Sequence, residues 1–408
     1  MPDMIAVERA LDLVLEAARP LPPIVADLAD LPGRILLEEI RADRDVPSWD
    51  KSLMDGFAVA AADLGRGKEV AIAATIAAGA DPGALAALPP GQAARIMTGA
   101  PLPRGADAVI PVERSRAGSQ PDRTALQGPV RPGENVARRG DDVREGAVLL
   151  EPGDFLGAAE IAVLAACGRI RARAGGRPRV AVLATGDELV PPGEEPGPGR
   201  LRNSNGPMLE ALARRAGAEV RDLGIARDDE EDLRRAIASG LDADVLLLSG
   251  GVSMGLYDLV GGALRSAGAE VLFERVAIRP GKPFTFARRG GTLVFGCPGN
   301  PVSSYVIFQV FARPALRRLA SHPTPVWRMQ PGRLASPIRQ KPGRAGYVQA
   351  RAVFRDGRLD VEPVPTSGSA DLVSCARGNA LAIVPAEAAS LPAGSDVAVI
   401  LLDDHGDR

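Results

Sequence analysis

The run Val180-Ala-Val-Leu-Ala-Thr-Gly-Asp-Glu188 is a short apolar segment that ends in a polar, glycine-containing turn. Further short apolar runs follow along the chain, at residues 220–225, 245–248 and 293–295. Segments with apolar residues at helical spacing alternate with them, at residues 206–216, 230–239, 257–267 and 302–320. This alternation of buried strands and helices predicts a parallel sheet with helices on both faces, which is an α/β domain.

Two helices are predicted on the N-terminal side of this domain. Residues 4–18 carry apolar side chains near helical spacing and predict an amphipathic helix that ends at Pro20. Residues 154–168 predict a second helix, with Asp154 as its N-cap and Gly168 at its C-terminal stop.

The remaining chain is predicted to be rich in β-strands. Between residues 34 and 150 the apolar runs are short and broken by Pro-Gly clusters, which is typical of small antiparallel strands. Residues 321–325 have the composition of a linker, and the segment after them returns to short strands. We expect a small β-barrel or sandwich there. The fold class is therefore multidomain, α/β plus β.

Composition limits the functional classes. The chain has 408 residues, 46% hydrophobic and 25% charged, which fits roughly two to four soluble domains. Its 49 Lys+Arg against 51 Asp+Glu give a net charge of -2, so no global field attracts nucleic acid or a membrane. With no apolar N-terminal run either, we expect a cytoplasmic protein that binds neither.

Cysteine and histidine contribute little chemistry. The cysteines are Cys167, Cys297 and Cys375, and their wide spacing favours buried free thiols over a disulfide framework. The two histidines, His322 and His405, lie in the linker and in the C-terminal tail. This placement argues against catalytic triads and histidine-based metal sites.

Glycine-rich turns follow the predicted strands of the α/β domain. They lie at residues 184–188, 249–255 and 296–301, and the last contains Pro298, Gly299, Asn300 and Pro301. Glycines let backbone N–H groups approach an anion, and Asn300 and Pro301 suit the N-cap and first position of a helix. A single glycine turn serves only to reverse the chain in many proteins. Because the carboxyl ends of parallel strands share one edge, three such turns favour a ligand site.

Cations and carboxylates are placed around the same edge. Arg275, Arg279 and Lys282 surround a Pro-Gly turn. Because lysine is rare in this chain, Lys282 suggests an ammonium donor to phosphate, with a solvated turn as the alternative. Asp258 follows the 249–255 turn and Glu188 follows the first strand. Both are candidates for Mg²⁺ ligands, with helix capping as the alternative.

The β-rich module contributes three further polar motifs. Asp55 precedes a glycine at the head of a predicted strand, Thr98 follows the end of another, and residues 135–143 contain two arginines followed by two aspartates, the second being Asp142. Each motif alone is typical of an ordinary β-turn.

Taken in order, these segments resemble one family. The motifs are Met-Asp-Gly-Phe-Ala-Val (54–59), Arg-Ile-Met-Thr-Gly-Ala-Pro-Leu-Pro (95–103), Thr-Gly-Asp-Glu-Leu (185–189), Ser-Gly-Gly-Val-Ser (249–253), Pro-Gly-Lys-Pro-Phe (280–284) and Pro-Gly-Asn-Pro-Val-Ser (298–303). The resemblance is to the molybdopterin molybdenumtransferases, the MoeA type that also forms the C-terminal domain of gephyrin. It implies an elongated helical part (1–25 and 142–174), a β-rich lid (26–141), a central MogA-like parallel-sheet α/β domain that binds molybdopterin (175–322) and a C-terminal β-barrel (323–408).

The resemblance also implies a reaction. Molybdate and adenylylated molybdopterin are substrates, molybdenum is inserted into the pterin dithiolene with Mg²⁺-dependent release of AMP, and the dithiolene rather than the protein supplies the sulfur ligands. The enzyme would be a homodimer whose active cleft joins the α/β domain of one subunit to the lid side of the other, and a molybdopterin adenylyltransferase is a candidate partner. The alternatives are a tungstate-inserting homologue and a non-catalytic scaffold of the same fold.

Site residues are carried over from the matching motifs. The catalytic set is Asp55, Thr98, Asp142, Glu188, Asp228 and Asp258, of which Glu188 and Asp258 are the Mg²⁺ candidates. The substrate and oxyanion set is Ser249, Gly250, Gly251, Ser253, Arg275, Arg279, Lys282, Pro298, Gly299, Asn300, Pro301 and Ser369.

The chain departs from the family pattern at three positions. Phe57 stands where a tyrosine is usual and Leu256 where a glutamate is usual. Gln349 occupies the position of the second arginine in a C-terminal motif, and Arg351, two residues further on the same strand face, is a candidate to substitute for it.

Overall fold

The computed structural model describes residues 4–63, 69–250 and 259–402. Within these ranges the helices are α1 (Val7–Ala17), α2 (Ala158–Ala166), α3 (Asn205–Arg215), α4 (Glu230–Gly240), α5 (Leu259–Ser266), α6 (Pro301–Ile307), α7 (Arg313–Leu319) and α8 (Leu372–Arg377). A π-helical turn, Phe308–Ala312, joins α6 to α7. In the part of the chain described here, no helix is long and apolar enough to cross a membrane.

The N-terminal region contains short strands. They are β1 (Ile24–Asp27), β2 (Ile40–Arg41), β3 (Lys51–Ser52), β4 (Gly56–Val59), β5 (Glu69–Ile76), β6 (Ala93–Ile96), β7 (Ala108–Pro111), β8 (Ser115–Ala117), β9 (Arg123–Leu126), β10 (Val136–Ala137), β11 (Val148–Leu150) and β12 (Arg171–Ala174). Six of them form the N-terminal sheet, in the order β7-β4-β6-β5-β9-β8. The prediction of antiparallel strands is wrong for β5 and β6, which pair in parallel. Residues 77–92 between them are long enough to return the chain to the starting end.

The predicted N-terminal helices both form. α1 buries Val7, Ala10 and Val14 in the same hydrophobic cluster as the central sheet. The predicted cap of α2 is wrong, because the N-cap is Gly157, whose N–H donates to the Glu160 carboxylate at 3.0 Å. Asp154 instead accepts from the Glu151 N–H, three residues earlier.

The central domain is built on a six-stranded sheet. Its chain segment contains β13 (Arg179–Thr185), β14 (Leu189–Val190), β15 (Leu201–Arg202), β16 (Glu219–Ala226), β17 (Val245–Ser249), β18 (Glu270–Arg275), β19 (Ile278–Arg279), β20 (Pro283–Arg289) and β21 (Thr292–Cys297). The order is β16-β13-β17-β21-β20-β18, and the first four strands are parallel as predicted. The antiparallel strands β20 and β18 were not predicted. α3 packs on one face of the sheet and α4 and α5 on the other, which confirms the α/β architecture.

Five phenylalanines hold one face of this sheet together. Phe284 lies at the centre, with ring centroids 5.0 Å from Phe311, 5.3 Å from Phe273 and 6.2 Å from Phe295. Phe286 packs against Phe273 and Phe295 with tilted rings. Buried aromatic rings remove large apolar areas from water, so this cluster fixes the strands whose ends carry the predicted site.

The C-terminal region is a closed barrel rather than a sandwich. Its strands are β22 (Gln330–Leu334), β23 (Ile338–Arg339), β24 (Ala345–Arg355), β25 (Arg358–Pro363), β26 (Ala380–Val384), β27 (Ser390–Leu391) and β28 (Asp396–Leu401). The order β24-β25-β22-β28-β26 closes through a second pairing of β24 with β26. β19 of the central domain also pairs in parallel with β24, with Arg279 opposite Gly346. This pairing brings the barrel rim to the flank of the central sheet.

The linker before the barrel contains His322. Its imidazole lies against the Arg317 guanidinium, with Arg317 Nη2 2.6 Å from His322 Nε2. Burial, together with the charges of Arg317 and Arg313, lowers the pKa of His322 to about 4. The ring is therefore neutral at pH 7, in a structural position away from the predicted site residues.

Candidate active site

The glycine-rich turns after β13, β17 and β21 meet at the carboxyl edge of the central sheet. The Gly250 N–H donates to the Cys297 carbonyl at 3.1 Å, and the backbone of Gly250 has φ +101°. A Cβ at this position would lie 2.3 Å from the Thr185 carbonyl oxygen, so only glycine allows this approach. The convergence expected from parallel topology is present, with Ser249, Gly250 and Gly299 at one edge.

Asn205 connects these turns and was not predicted as a site residue. Its Nδ2 donates to Ser249 Oγ and to the Gly299 carbonyl, both at 2.8 Å. Its Oδ1 is buried and has no hydrogen-bond partner among the described residues, and the same is true of Thr185 Oγ1. Buried polar atoms without partners are rare in folded proteins, so two at one edge point to a ligand. The sequence signal was the polar run Asn203-Ser204-Asn205 at the start of α3.

Carboxylates lie beside the same turns. The Asp187 N–H donates to Asp228 Oδ2 at 3.4 Å, and the Asp228 N–H donates to Asp187 Oδ1 at 3.3 Å. The Glu188 carboxylate folds back over Gly186, since a Cβ on Gly186 would lie 2.6 Å from Glu188 Oε2. Asp229 caps α4 by accepting from the backbone N–H groups of Glu231 and Asp232.

Three predicted residues of the 249–255 turn region, Gly251, Ser253 and Asp258, lie outside the described residues, as does Leu256. Across the described ranges, no group of three or more His, Cys, Asp or Glu side chains is arranged to hold a metal ion. Of the two Mg²⁺ candidates from the sequence, Glu188 lies within the described residues and Asp258 lies outside them.

A cavity of about 550 Å³, the seam cavity, lies where the central domain meets the barrel. Of the predicted residues, it is lined by Arg279, Lys282, Pro298, Asn300 and Ser369. Arg339, Arg344 and Gln349 also line it. Arg275 and Pro301 do not, and Pro301 is the first residue of α6, as predicted.

The seam cavity is strongly cationic. Arg279, Lys282, Arg339 and Arg344 face it, and no carboxylate is among the described residues of its lining. Burial and the neighbouring Arg279 guanidinium lower the pKa of Arg344. Like charges held this close favour binding of an anion.

Asn300 and Ser369 join the two walls of the cavity. Asn300 Nδ2 donates to Ser369 Oγ at 3.0 Å, and the Val302 N–H donates to the Ser369 carbonyl at 3.1 Å. Asn300 occupies the N-cap position of α6, as predicted, although its side chain makes no capping hydrogen bond. The side chain instead fixes the barrel against the central domain.

Asp55 and Thr98 meet on the N-terminal sheet. Asp55 Oδ1 accepts from the Thr98 N–H at 2.6 Å and from Thr98 Oγ1 at 2.8 Å, and these donors lower the pKa of Asp55. Asp55 lines a second cavity, of about 660 Å³, together with Arg95, Arg116 and Arg123. Among the described residues, the two cavities share no lining residue.

Asp142 lies on a separate, exposed loop. Its N–H donates to the Val46 carbonyl at 3.0 Å. The arginines of its motif are engaged elsewhere, Arg138 with Asp50 and Arg139 with Asp45. The structure therefore brings Asp55 and Thr98 together but does not bring Asp142 into contact with them.

The cysteines are free thiols, and two of them are deeply placed. Burial raises the pKa of Cys297, at the end of β21, to about 12. Burial also raises the pKa of Cys375 to about 11. Both remain protonated at neutral pH, so neither provides a thiolate.

Comparisons with known proteins cover nearly the whole chain. Residues 5–168 match the MoeA N-terminal region (domain I and II), residues 181–318 a probable molybdopterin binding domain, and residues 331–402 the MoeA C-terminal region (domain IV). Molybdopterin molybdenumtransferase 1 of Mycobacterium tuberculosis is 35% identical over 94% of this chain and 96% of its own. Molybdopterin molybdenumtransferase of Bacillus subtilis is 34% identical over 93% of this chain and 89% of its own. Among solved structures, a molybdopterin biosynthesis MoeA protein from Pyrococcus horikoshii superposes with a TM-score of 0.80 at 30% identity, covering 98% of this chain and 100% of that one.

Proposed function

Because the chain belongs to the MoeA family of molybdopterin molybdenumtransferases, enzymes of molybdenum cofactor biosynthesis, we propose that it transfers molybdenum from molybdate to adenylylated molybdopterin and releases AMP. The observation that carries this proposal is the seam cavity, where four cationic side chains are gathered and the described lining contains no carboxylate. Molybdate and the phosphoanhydride of the pterin are both anions. Charge-assisted hydrogen bonds from such a lining bind oxyanions strongly.

Molybdate is assigned to the seam cavity. The guanidinium groups of Arg279 and Arg344 each offer a planar set of N–H donors, and Lys282 offers a compact ammonium group. Ser369 contributes a hydroxyl from the barrel side. The walls come from two domains, so hydrogen bonds can hold a tetrahedral oxyanion from several directions without a covalent bond to the protein.

The adenylylated pterin is assigned to the carboxyl edge of the central sheet. Ligands of open parallel sheets bind at this edge, and Gly250 and Gly299 allow the closest approach of a phosphate to the backbone there. The unpartnered Asn205 Oδ1 and Thr185 Oγ1 supply hydrogen-bonding groups that a ligand would satisfy. Gly299 and Pro298 belong to the same turn, so this edge is continuous with the seam cavity.

Mg²⁺ fits the oxygen donors at this edge. It binds through one or two carboxylates together with phosphate oxygens, and Glu188 and Asp228 both present carboxylates beside the glycine turns. With Asp258, which the sequence adds, these side chains would hold the ion. When bound, it would neutralise charge on the phosphoanhydride that is cleaved.

The lid-side acids are assigned to the site of a second copy of the chain. Asp55 and Thr98 line or adjoin a cavity that is separate from the seam cavity, which suits a homodimer with two composite sites. Lys282→Ala and Asp55→Ala subunits mixed at equal ratio should then regain about a quarter of the wild-type rate, since half of the dimers are mixed and each has one intact site. A mixture no more active than either variant would show that each chain contains its own complete site.

Release of AMP is the direct test of the reaction. Purified protein given adenylylated molybdopterin, molybdate and Mg²⁺ should release AMP, and Lys282→Ala should release much less. Lys341→Ala is the matched control, because Lys341 is exposed and is not part of the seam cavity. No AMP above a control without protein would end the proposal. Full AMP release by both Lys282→Ala and Asp55→Ala would refute the assignment of these two side chains to the catalytic site.

The choice between molybdate and tungstate is tested by competition, with the incorporated metal quantified.

The adenylylated pterin must be supplied by an adenylyltransferase, which we propose as a cytoplasmic partner. Co-purification of the two proteins from a cytoplasmic extract, and its loss at high salt, would test this assignment.

A further inference from the structure

Gln349 is a buried amide without hydrogen-bond partners at the wall of the seam cavity. Gln349 is only 3% exposed, and neither its Oε1 nor its Nε2 has a hydrogen-bond partner among the described residues. Leaving both ends of an amide unsatisfied costs folding free energy. A structural role in the barrel would not require this arrangement.

Asn379 shows how an amide in this barrel is satisfied when its role is structural. Its Oδ1 accepts from the Ala352 N–H at 2.7 Å, and its Nδ2 donates to the Ala352 carbonyl at 3.0 Å. Both ends are used to join neighbouring backbone segments. Gln349 lies on β24, three residues before Ala352, and carries the same amide group, but neither of its ends has a partner among the described residues.

Arg351 does not substitute at this place. The strand β24 pairs with β26 as far as Ala350 and with β25 from Ala350 onward, so Gln349 and Arg351 lie against different neighbouring strands. Arg351 is exposed there, opposite Glu362, and is not part of the seam cavity lining. The position facing the cavity is therefore held by Gln349 itself.

We propose that Gln349 is a direct ligand of the tetrahedral oxyanion in the seam cavity. Its amide is a neutral hydrogen-bonding partner for the anion among the surrounding cations. This inference rests on the proposed function for the identity of the anion. Nε2 donates to an oxyanion oxygen, while the guanidinium and ammonium groups drawn around the ligand are donors for Oε1. The amide thus becomes satisfied only when the cavity is filled.

The test compares affinity with stability. Gln349→Leu removes the amide and keeps its approximate volume, so the melting temperature of the ligand-free protein should rise. The affinity for molybdate, measured by isothermal titration calorimetry with molybdate alone, should fall about tenfold, as expected for one lost hydrogen bond to a charged group. Arg351→Gln is the matched control and should change neither quantity.

A second variant separates charge from hydrogen bonding. Gln349→Arg should bind molybdate at least as tightly as wild type. Its binding should be more sensitive to salt, because a fifth cation is added to the cavity. Molybdate affinity of Gln349→Leu within twofold of wild type would overturn the inference, as would a fall of affinity and melting temperature together. This readout does not depend on AMP release. An inactive protein that still shows the Gln349→Leu effect would refute the reaction and keep the oxyanion ligand.

Discussion

Replacing Gly250 by alanine tests the construction of the sheet edge. Gly250 has φ +101°, a region that side-chain-bearing residues rarely adopt. An added Cβ would lie 2.3 Å from the Thr185 carbonyl oxygen and 3.0 Å from Thr185 Oγ1. The first of these atoms belongs to the backbone of β13, which is paired to β17 and cannot move away alone.

The expected cost has two parts. Forcing alanine into a positive-φ conformation costs about 1–2 kcal/mol. Relieving the contact with a backbone oxygen requires the strands to shift, which costs about 1–3 kcal/mol in well-packed interiors. A total of about 3 kcal/mol lowers the melting temperature of a domain of this size by roughly 6–12 °C. AMP release should fall as well, because the turns after β13 and β17 would be pushed apart.

Two other glycines allow these parts to be measured separately by differential scanning calorimetry. Gly290 has φ +58° with no heavy atom within 4 Å of an added Cβ, so Gly290→Ala should show only the conformational cost of about 1–2 kcal/mol. Gly262 lies in α5 with no positive φ, and no heavy atom of the described residues lies within 4 Å of an added Cβ, so Gly262→Ala should stabilise by up to about 1 kcal/mol. A Gly250→Ala protein that melts no lower than Gly290→Ala would refute the steric argument.

Three further changes test other parts of the molecule. Phe284→Ala should destabilise by about 3–5 kcal/mol in thermal unfolding, whereas Phe354→Ala, at a residue 66% exposed, should have little effect. The folded-state pKa of His322 is below its unfolded value, so its contribution to stability is present above about pH 6.5 and declines as pH falls toward 4. Relative to His322→Gln, wild type should therefore lose about 1 kcal/mol more between pH 7.5 and pH 5, after allowing for partial exposure; equal losses would contradict this. Thr98→Val removes one donor to Asp55 and should raise the pKa of that carboxyl, moving the acidic limb of AMP release to higher pH; an unmoved pH–rate profile would count against a role for the ionised carboxylate.

The central fold could be predicted because its signals are local. The apolar runs of β13 and β17 are long enough to mark buried strands, and the order of strands and helices dictates parallel pairing. Once pairing is parallel, the turns that follow the strands must meet at one edge. The contact between Gly250 and the Thr185 turn is therefore a consequence of topology that the sequence contains.

Other parts depend on contacts that the local sequence does not reveal. The strands β18 and β20 flank a turn rich in proline and charge, which reads locally as a loop. Their strand character comes from Phe273, Phe284 and Phe286, whose rings complete a core formed by distant segments. Arg339 and Arg344 were missed for a similar reason, since a barrel segment acquires a role only when it is placed against the central domain.

The pairing of β19 with β24 explains how a cationic site can exist before its anion arrives. It places Arg279 opposite Gly346, two residues from Arg344. Burial, and after it the charge of Arg279, lowers the pKa of Arg344. Mutual repulsion would separate these side chains if they were carried on mobile loops. Backbone hydrogen bonds and the closed barrel oppose that separation, so folding free energy offsets the repulsion in advance. The oxyanion that we propose for this cavity would then meet donors that are already in position, and its binding energy would not be spent on gathering them.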